Sequence, residues 1–271
     1  MDRIGIELLS IFGLPPVQFV NLAADLDCRH ISVGLTAVPF NPHGYPSWSL
    51  KDSRDLRREM VAMMRDRNVS ISLGEGFIVR PGADVSGLAA DLEAMCELGV
   101  KLVNTVSLDP DLNRSLDQFA ALAEMVGAAG LETTVEFGPG LTIADLPGAL
   151  TAIRHVGRPD FRLLIDTMHL IRSGSSTADV SALDPAIIGY IQLSDAPLVS
   201  KYTNYMEEAM FARMPPGTGE LPLVEILSAL PRDVVIGLEI PQLSLAEAGT
   251  GPYDRLRPCV ERTREILARI T

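Results

Sequence analysis

The sequence predicts an α/β fold, a single (β/α)8 TIM barrel formed by one domain over residues 1–271. Three observations predict it. Short apolar, β-branched runs alternate eight times with amphipathic stretches. Most of these runs are nearly continuous in their hydrophobicity, as expected of parallel strands covered on both faces. Eight units in 271 residues take about 34 residues each, the spacing of a barrel of typical size. The rival, a doubly wound open sheet, usually carries a Gly-rich phosphate turn after its first strand, and Leu8-Leu9-Ser10-Ile11-Phe12-Gly13 is not one.

The predicted strands are Ile4–Leu9, His30–Leu35, Val69–Leu73, Lys101–Val106, Leu131–Phe137, Phe161–Asp166, Gly189–Leu193 and Val234–Ile240. The predicted helices begin with Pro16–Asp27, where Pro stands at an early position. Ser53–Arg67 follows, with Ser53 as N-cap. Asp84–Leu98, Ser115–Ala129 and Thr142–Val156 each end at a glycine, the usual helix stop. Ala178–Leu183 is short, Leu221–Leu230 stops at Pro231, and Tyr253–Ile270 is the last. Two connections, Thr36–Asp52 and Ala196–Glu220, are longer than a βα loop requires, and their aromatic content marks them as lids over the catalytic rim.

Composition narrows the function. With 23 Lys and Arg against 35 Asp and Glu, the net charge of −12 repels phosphate backbones and anionic lipid, so neither nucleic acid nor a membrane is an expected partner. No run reaches the roughly 18 apolar residues of a membrane span. Met1-Asp2-Arg3-Ile4-Gly5-Ile6 lacks the basic start and apolar stretch of a secretory signal. Cys28, Cys96 and Cys259 are widely spaced and odd in number, and read as buried or semi-buried thiols in a reducing compartment. The expected location is cytoplasmic.

Functional groups of a barrel sit at the C-terminal ends of its strands. The fifth run ends in Glu136, the sixth in Asp166, the seventh contains Gln192 and the eighth contains Glu239. Burying one such carboxylate alone is costly, and a shared cation offsets that cost. Three carboxylates and an amide oxygen make a hard oxygen site suited to Mg²⁺ or Mn²⁺, with Co²⁺ or Zn²⁺ also admissible. The bland alternative is a set of rim acids bonded to backbone N–H groups. His169, three residues after Asp166, is either turned into the site or a core histidine. Asp195 is either an acceptor behind the metal ligands or a helix cap, and Glu7, Glu75 and Glu132 are further acids able to face inward. Arg80, after the third strand, either binds a substrate anion or is a solvated loop arginine.

Taken in order, Val135-Glu136, Asp166-x-x-His169, Ile191-Gln192-Leu193-x-Asp195, Arg213-x-x-Pro216-Gly217-x-Gly219 and Leu238-Glu239 resemble the xylose isomerase-like TIM-barrel superfamily of sugar phosphate isomerases and epimerases. The resemblance implies Glu136, Asp166, Gln192 and Glu239 as metal ligands, His169 and Arg213 as substrate contacts, and a rim turn at Pro216-Gly217-x-Gly219. It also implies a homo-oligomer. Sugar epimerases of this group often carry His where Gln192 stands. Gln is similar to what hydroxypyruvate isomerases and 3-dehydroshikimate dehydratases show, and Gln192-Leu193-Ser194-Asp195-Ala196-Pro197 looks particularly like the dehydratases. The related apurinic-site endonucleases need a His-rich multinuclear zinc site, which four histidines and an acidic surface do not suit.

The expected activity is therefore that of a divalent-metal-dependent isomerase or epimerase. It would act on a small polyhydroxylated carbonyl substrate, neutral or anionic, through an enediolate. Glu136 and Glu239 would take and return the α-proton, with His169 polarising a substrate oxygen. The alternative is a metal-dependent dehydratase of a 3-dehydroshikimate-like hydroxy-keto acid, with His169 as base and Arg80 or Arg213 on the carboxylate. A second alternative is a barrel that holds metal or ligand without turnover.

Overall fold

In the computed structural model, which describes residues 3–270, eight parallel strands close into a barrel in sequential order. The strands are β1 (Ile4–Ile6), β2 (His30–Val33), β3 (Ser70–Val79), β4 (Leu102–Ser107), β5 (Glu132–Glu136), β6 (Phe161–Asp166), β7 (Ile188–Leu193) and β8 (Ile236–Leu238). The barrel closes where β8 pairs with β1, Gly237 lying opposite Gly5. The helices are α1 (Pro16–Asp25), α2 (Arg54–Arg67), α3 (Ala89–Leu98), α4 (Leu112–Ala128), α5 (Leu146–Val156), α6 (Thr167–Arg172), α7 (Thr177–Ser181), α8 (Tyr205–Phe211), α9 (Leu223–Ala229), α10 (Leu243–Glu247) and α11 (Pro252–Ala268). No helix among the described residues is long and apolar enough to cross a membrane.

Local chemistry sets the helix ends. Ser53 accepts from the Leu56 N–H to cap α2, and Asp111 and Asp145 cap α4 and α5 in the same way. Gly99 and Gly157 stop α3 and α5 in the left-handed conformation. The third strand runs to Val79, six residues beyond its expected end, because Gly74-Glu75-Gly76 passes through a register shift against β4 and the chain stays paired. Three elements were not foreseen: α6, α8 and α10. All are too short for periodicity to mark them; Asp166 and Asn204 cap α6 and α8, whereas α10 has no side-chain cap. Cys28 and Cys259 are buried as expected, whereas Cys96 is exposed on α3.

The barrel has two cores. Alternate strand positions, such as Leu163, Ile165, Ile191 and Leu193, face outward into one large core beneath the helices. Inside the barrel a smaller cluster, Leu73, Leu102, Leu164 and Tyr190, plugs the axis. Successive side chains of a strand alternate faces, so the residue two positions on from each plug residue returns to the axis one layer higher. Those residues are Glu75, Asn104, Asp166 and Gln192. The same step takes Gly5 to Glu7, Thr134 to Glu136 and Gly237 to Glu239. One layer of the barrel interior is thereby apolar and the next, at the C-terminal mouth, is almost wholly polar.

Candidate functional site

The polar layer forms the floor of a cavity of about 590 Å³ that opens at the C-terminal ends of the strands. Glu75, Asn104, Glu136, His169, Arg213 and Glu239 all border it, and Arg80 lines it as well. Asp166 and Gln192 are buried in the same layer, and their Cα atoms are partners across β6 and β7.

Asp166 does two things. Its Oδ1 accepts from the His169 N–H at 2.8 Å and so caps α6, which turns the His169 ring back over the barrel. Its Oδ2 is bonded to the Arg213 guanidinium. Burial alone would raise the Asp166 carboxyl, but Arg213, His169 and the His169 N–H together hold it below the usual carboxylate range. Arg213 reaches Glu239 Oε2 with its other terminal nitrogen at 2.8 Å, and its Nε donates to the Ala209 carbonyl at 2.7 Å. The guanidinium thus bridges two of the four expected metal ligands.

Glu136 is fixed from two sides. Asn104 Nδ2 donates to its Oε2 at 2.6 Å, and His169 Nε2 lies 3.2 Å from its Oε1. The other ring nitrogen of His169 is bonded to the hydroxyl of Tyr205 on α8. A chain of Glu136, His169 and Tyr205 therefore joins the floor to the long connection after β7. That connection meets the one after β2 through the rings of Phe40 and Phe211, whose centroids are 4.5 Å apart edge to face. Both long connections border the cavity.

The acids in this layer crowd one another. Burial and the neighbouring charges of Glu136, Glu7 and Glu239 push the Glu75 carboxyl well up. Glu239 is raised by burial and by Glu136 and Asp166, against the opposing pull of Arg213. Glu7, wholly buried below them, is pushed up to about 7, chiefly by burial. Gln192 Nε2 contacts Glu75 and Glu239 at 3.5 and 3.4 Å, whereas its buried Oε1 has no hydrogen-bond partner.

These observations decide whether a divalent cation fits. An all-oxygen donor set, more carboxyl groups than the one guanidinium can neutralise and a buried carbonyl oxygen without a donor are the chemistry of a hard cation site. As the side chains stand, however, no three His, Cys, Asp or Glu among the described residues converge on one point fit for a metal ion. The bridging guanidinium of Arg213 accounts for this, because it holds Asp166 and Glu239 to itself. The donors fit the cation in kind, and Arg213 must yield some of its contacts for them to close.

Other expectations change. Arg213 borders the cavity, but its side chain is 2% exposed and engaged by two acids, so it is foremost an internal counter-ion. Asp195 is neither a helix cap nor a partner of the floor residues. Its two oxygens accept from the backbone N–H groups of Ala196, Gly217, Gly219 and Leu221, and so pin the Pro216-Gly217-x-Gly219 turn. Glu132 is in phase with Thr134 and Glu136 but stands at the opposite, N-terminal end of β5, where it is exposed and pairs with Arg162 away from the mouth. Arg80 is exposed at the rim, where its guanidinium makes no hydrogen bond or ion pair to a described residue. Asn104 and Tyr205 were missed. The signal for Asn104 is a lone amide inside the apolar run Leu102-Val103-Asn104, in phase with Leu102; Tyr205 is among the aromatics that mark the connection after β7 as a lid, but nothing there singles it out as a partner of His169.

A family model described as xylose isomerase-like TIM barrel matches residues 20–256. No curated protein matches the chain by sequence. Among solved structures, the IOLI protein with a bound zinc atom superposes with a TM-score of 0.81 at 15% identity, covering 99% of both chains. The probable 3-DHS dehydratase AsbF from Bacillus anthracis gives 0.71 at 13% identity over 96% of this chain and 97% of that one. D-psicose 3-epimerase from Clostridium cellulolyticum H10, bound to D-tagatose, gives 0.67 at 13% identity over 99% and 98%. At these identities the likeness is one of fold.

Proposed function

The chain belongs to the xylose isomerase-like TIM-barrel family, and on that premise we propose that it is an isomerase or epimerase that removes and returns a proton α to a substrate carbonyl, assisted by a divalent metal. The observation that carries this reading is the crowding of Glu75, Glu136, Asp166 and Glu239 at the mouth of the barrel, where one guanidinium, Arg213, is shared between Asp166 and Glu239. Glu136, Asp166, Gln192 and Glu239 would hold the metal, which supplies Lewis-acid polarisation of the carbonyl and its neighbouring hydroxyl. Mg²⁺ and Mn²⁺ suit these oxygen donors best.

The chain's own residues do the rest. Glu136 and Glu239 approach the cavity from β5 and β8, so a substrate lying between them meets a carboxylate on each side. Glu136, steadied by Asn104 and His169, takes the α-proton from one side. Glu239, whose carboxyl is raised by burial and its acidic neighbours, returns it from the other. His169 presents its ring edge where the charge of the enediolate develops, backed by Tyr205. The two long connections close over the floor and keep water from the carbanionic intermediate.

A second reading, dehydration of a hydroxy-keto acid, rests on Arg80, a cavity-lining guanidinium with no acidic partner among the described residues. It shares the proton abstraction and differs in the loss of the β-hydroxyl.

The test is solvent-deuterium incorporation α to the carbonyl across ketoses and their phosphates with added Mg²⁺ or Mn²⁺. Glu136→Gln and Glu239→Gln each abolish exchange while the fold survives. Full activity in either variant overturns that residue's role, and no activation by any divalent metal overturns the site. Release of water and a new ultraviolet absorption from 3-dehydroshikimate select the second reading.

A further inference from the structure

Above its polar floor, the cavity is walled by hydrocarbon. Leu9, Val38, Ile78, Val106, Leu141 and Met210 all line it, and all are half-buried, with part of each side chain left facing the cavity. Among the described lining residues, the only polar side chains outside the floor layer are those of Thr36, Arg80 and Ser32, and the Ser32 hydroxyl already accepts from the Leu8 N–H. At about 590 Å³ the cavity lies within the roughly 300–1,000 Å³ of sites that engulf a ligand of drug size, so the floor accounts for only part of what it holds.

This wall is poor company for a sugar. Each hydroxyl placed against the side chain of Val106 or Leu141 gives up hydrogen bonds to water and finds no partner on that side chain, and Arg80 and Thr36 are the wall's few polar groups. A methylene in the same place gains affinity, about fourfold per group buried. The walls come from β3, β4, the β5 loop and both long connections, so the apolar band surrounds the cavity rather than flanking one side of it.

From this we infer that the substrate is amphipathic, with a hydroxy-carbonyl head that reaches the floor and an apolar acyl or carbocyclic body, five or more carbons long, that fills the walled mouth. The inference rests on the enolising site proposed above for the head and adds the class of the body. It confines the polyhydroxylated character expected from sequence to the end that meets Glu136, His169 and Glu239. Specificity then lies with the wall: an apolar body is drawn in, and a free hexose or pentose is disfavoured by its unmatched hydroxyls.

Saturation-transfer NMR with the whole protein and Mg²⁺ tests this, using hydroxyacetone, 1-hydroxy-2-octanone and D-fructose as probes. These share a hydroxy-ketone head and differ in the body. The octanone is expected to bind at least tenfold more tightly than hydroxyacetone, with saturation strongest on its chain methylenes. Val106→Thr, nearly isosteric, and Leu141→Gln, at a half-exposed position, are each expected to weaken the octanone at least threefold and to leave hydroxyacetone unchanged. An octanone that binds no better than hydroxyacetone, or D-fructose binding more tightly than the octanone, overturns the inference. Deuterium exchange measured on the same samples separates the two claims. Exchange without any chain-length effect overturns the apolar body and leaves the enolising site standing. A chain-length effect without exchange in any probe supports the apolar body and counts against the enolising site.

Discussion

The Arg213 guanidinium and the Asp166 carboxylate form an ion pair inside the barrel mouth, with their side chains 2% and 0% exposed. The same guanidinium holds Glu239, and so engages two of the acids proposed above as metal ligands. Two charges taken from water in this way stabilise little in net terms, but removing one partner strands the other. Arg213→Met should therefore cost about 3–5 kcal/mol, which for a chain of this size lowers Tm by roughly 10 °C. Because Asp166, Glu239 and their neighbours are then left without a counter-charge, Mg²⁺ or Mn²⁺ should raise the Tm of the variant more than that of the parent. Thermal melts with and without metal check both. A variant melting within about 2 °C of the parent would show that the pair does not carry this role.

Gly237 makes room for Glu7. A Cβ at position 237 would lie 1.5 Å from Glu7 Oε1 and 2.9 Å from the Tyr190 hydroxyl, which itself donates to Glu7 at 2.8 Å. Glu7 can cross the axis only because its neighbour on β8 has no side chain. Gly237→Ala should destabilise the fold by about 2–3 kcal/mol through this overlap. Adding Glu7→Ala should recover at least half of the loss, a coupling of more than about 1 kcal/mol in the double-mutant cycle. Urea denaturation of the four proteins measures it. Effects that simply add would mean that the overlap is relieved elsewhere.

The architecture was legible because it depends on a pattern repeated eight times, in which an error at one strand does not disturb the rest. Four strand-end positions were also legible, because a charged or amide group within an apolar run is costly unless it has a purpose: Glu136, Asp166, Gln192 and Glu239 were found this way. What pairs with what was not. The reach of Arg213 to Asp166 spans 47 residues and depends on how the long connection after β7 folds back over the mouth, which no local preference encodes. Asp195 illustrates the same limit. Its place beyond a strand end suggested service to the floor, yet a short backward turn delivers four backbone donors to it first. Tyr205 sits in a helix of seven residues whose cap, Asn204, is the only local sign of it.

Glu7 gives the barrel a pH dependence of known sign. Burial, outweighing hydrogen bonds from Ser32, Tyr190 and Gln192, raises its carboxyl from 4.5 to about 7. Below pH 4.5 the folded and unfolded chains both hold this proton, and stability does not depend on it. As pH rises from there to about 7 the unfolded chain releases the proton first, so stability falls; above that it levels off. A shift of this size corresponds to about 3 kcal/mol in all. In the presence of chelator, Glu7→Gln should gain about 2 kcal/mol on the parent between pH 5 and pH 7.5, measured by urea denaturation. A difference between the two proteins that is the same at both pH values would mean that Glu7 is ionised throughout.

Asp195 should control order in the connection that carries Tyr205 and Arg213. Its Oδ2 accepts from Gly217 and Gly219 at 2.9 Å each, and its Oδ1 from Ala196 at 2.8 Å and Leu221 at 3.1 Å. Gly219 is close enough that a Cβ there would lie 2.4 Å from Oδ1, so the carboxylate and the turn are fitted to each other. The backbone of Asp195 is also bridged to Met214, the residue after Arg213. Asp195→Ala leaves four N–H groups without their acceptor, at a cost on the order of 3 kcal/mol. The loss should fall first on residues 196–221 and not on the whole barrel, because strand pairing on either side is untouched. Hydrogen exchange or limited proteolysis should therefore show this segment opening at temperatures where the strands remain protected, with Asp195→Asn, which keeps one carbonyl acceptor, intermediate. Uniform loss of protection across strands and loop together would place Asp195 in the global core instead. Since Arg213 rides on the same segment, its grip on Asp166 and Glu239 should loosen in step, so the Tm gain from Mg²⁺ should be larger in Asp195→Ala than in the parent.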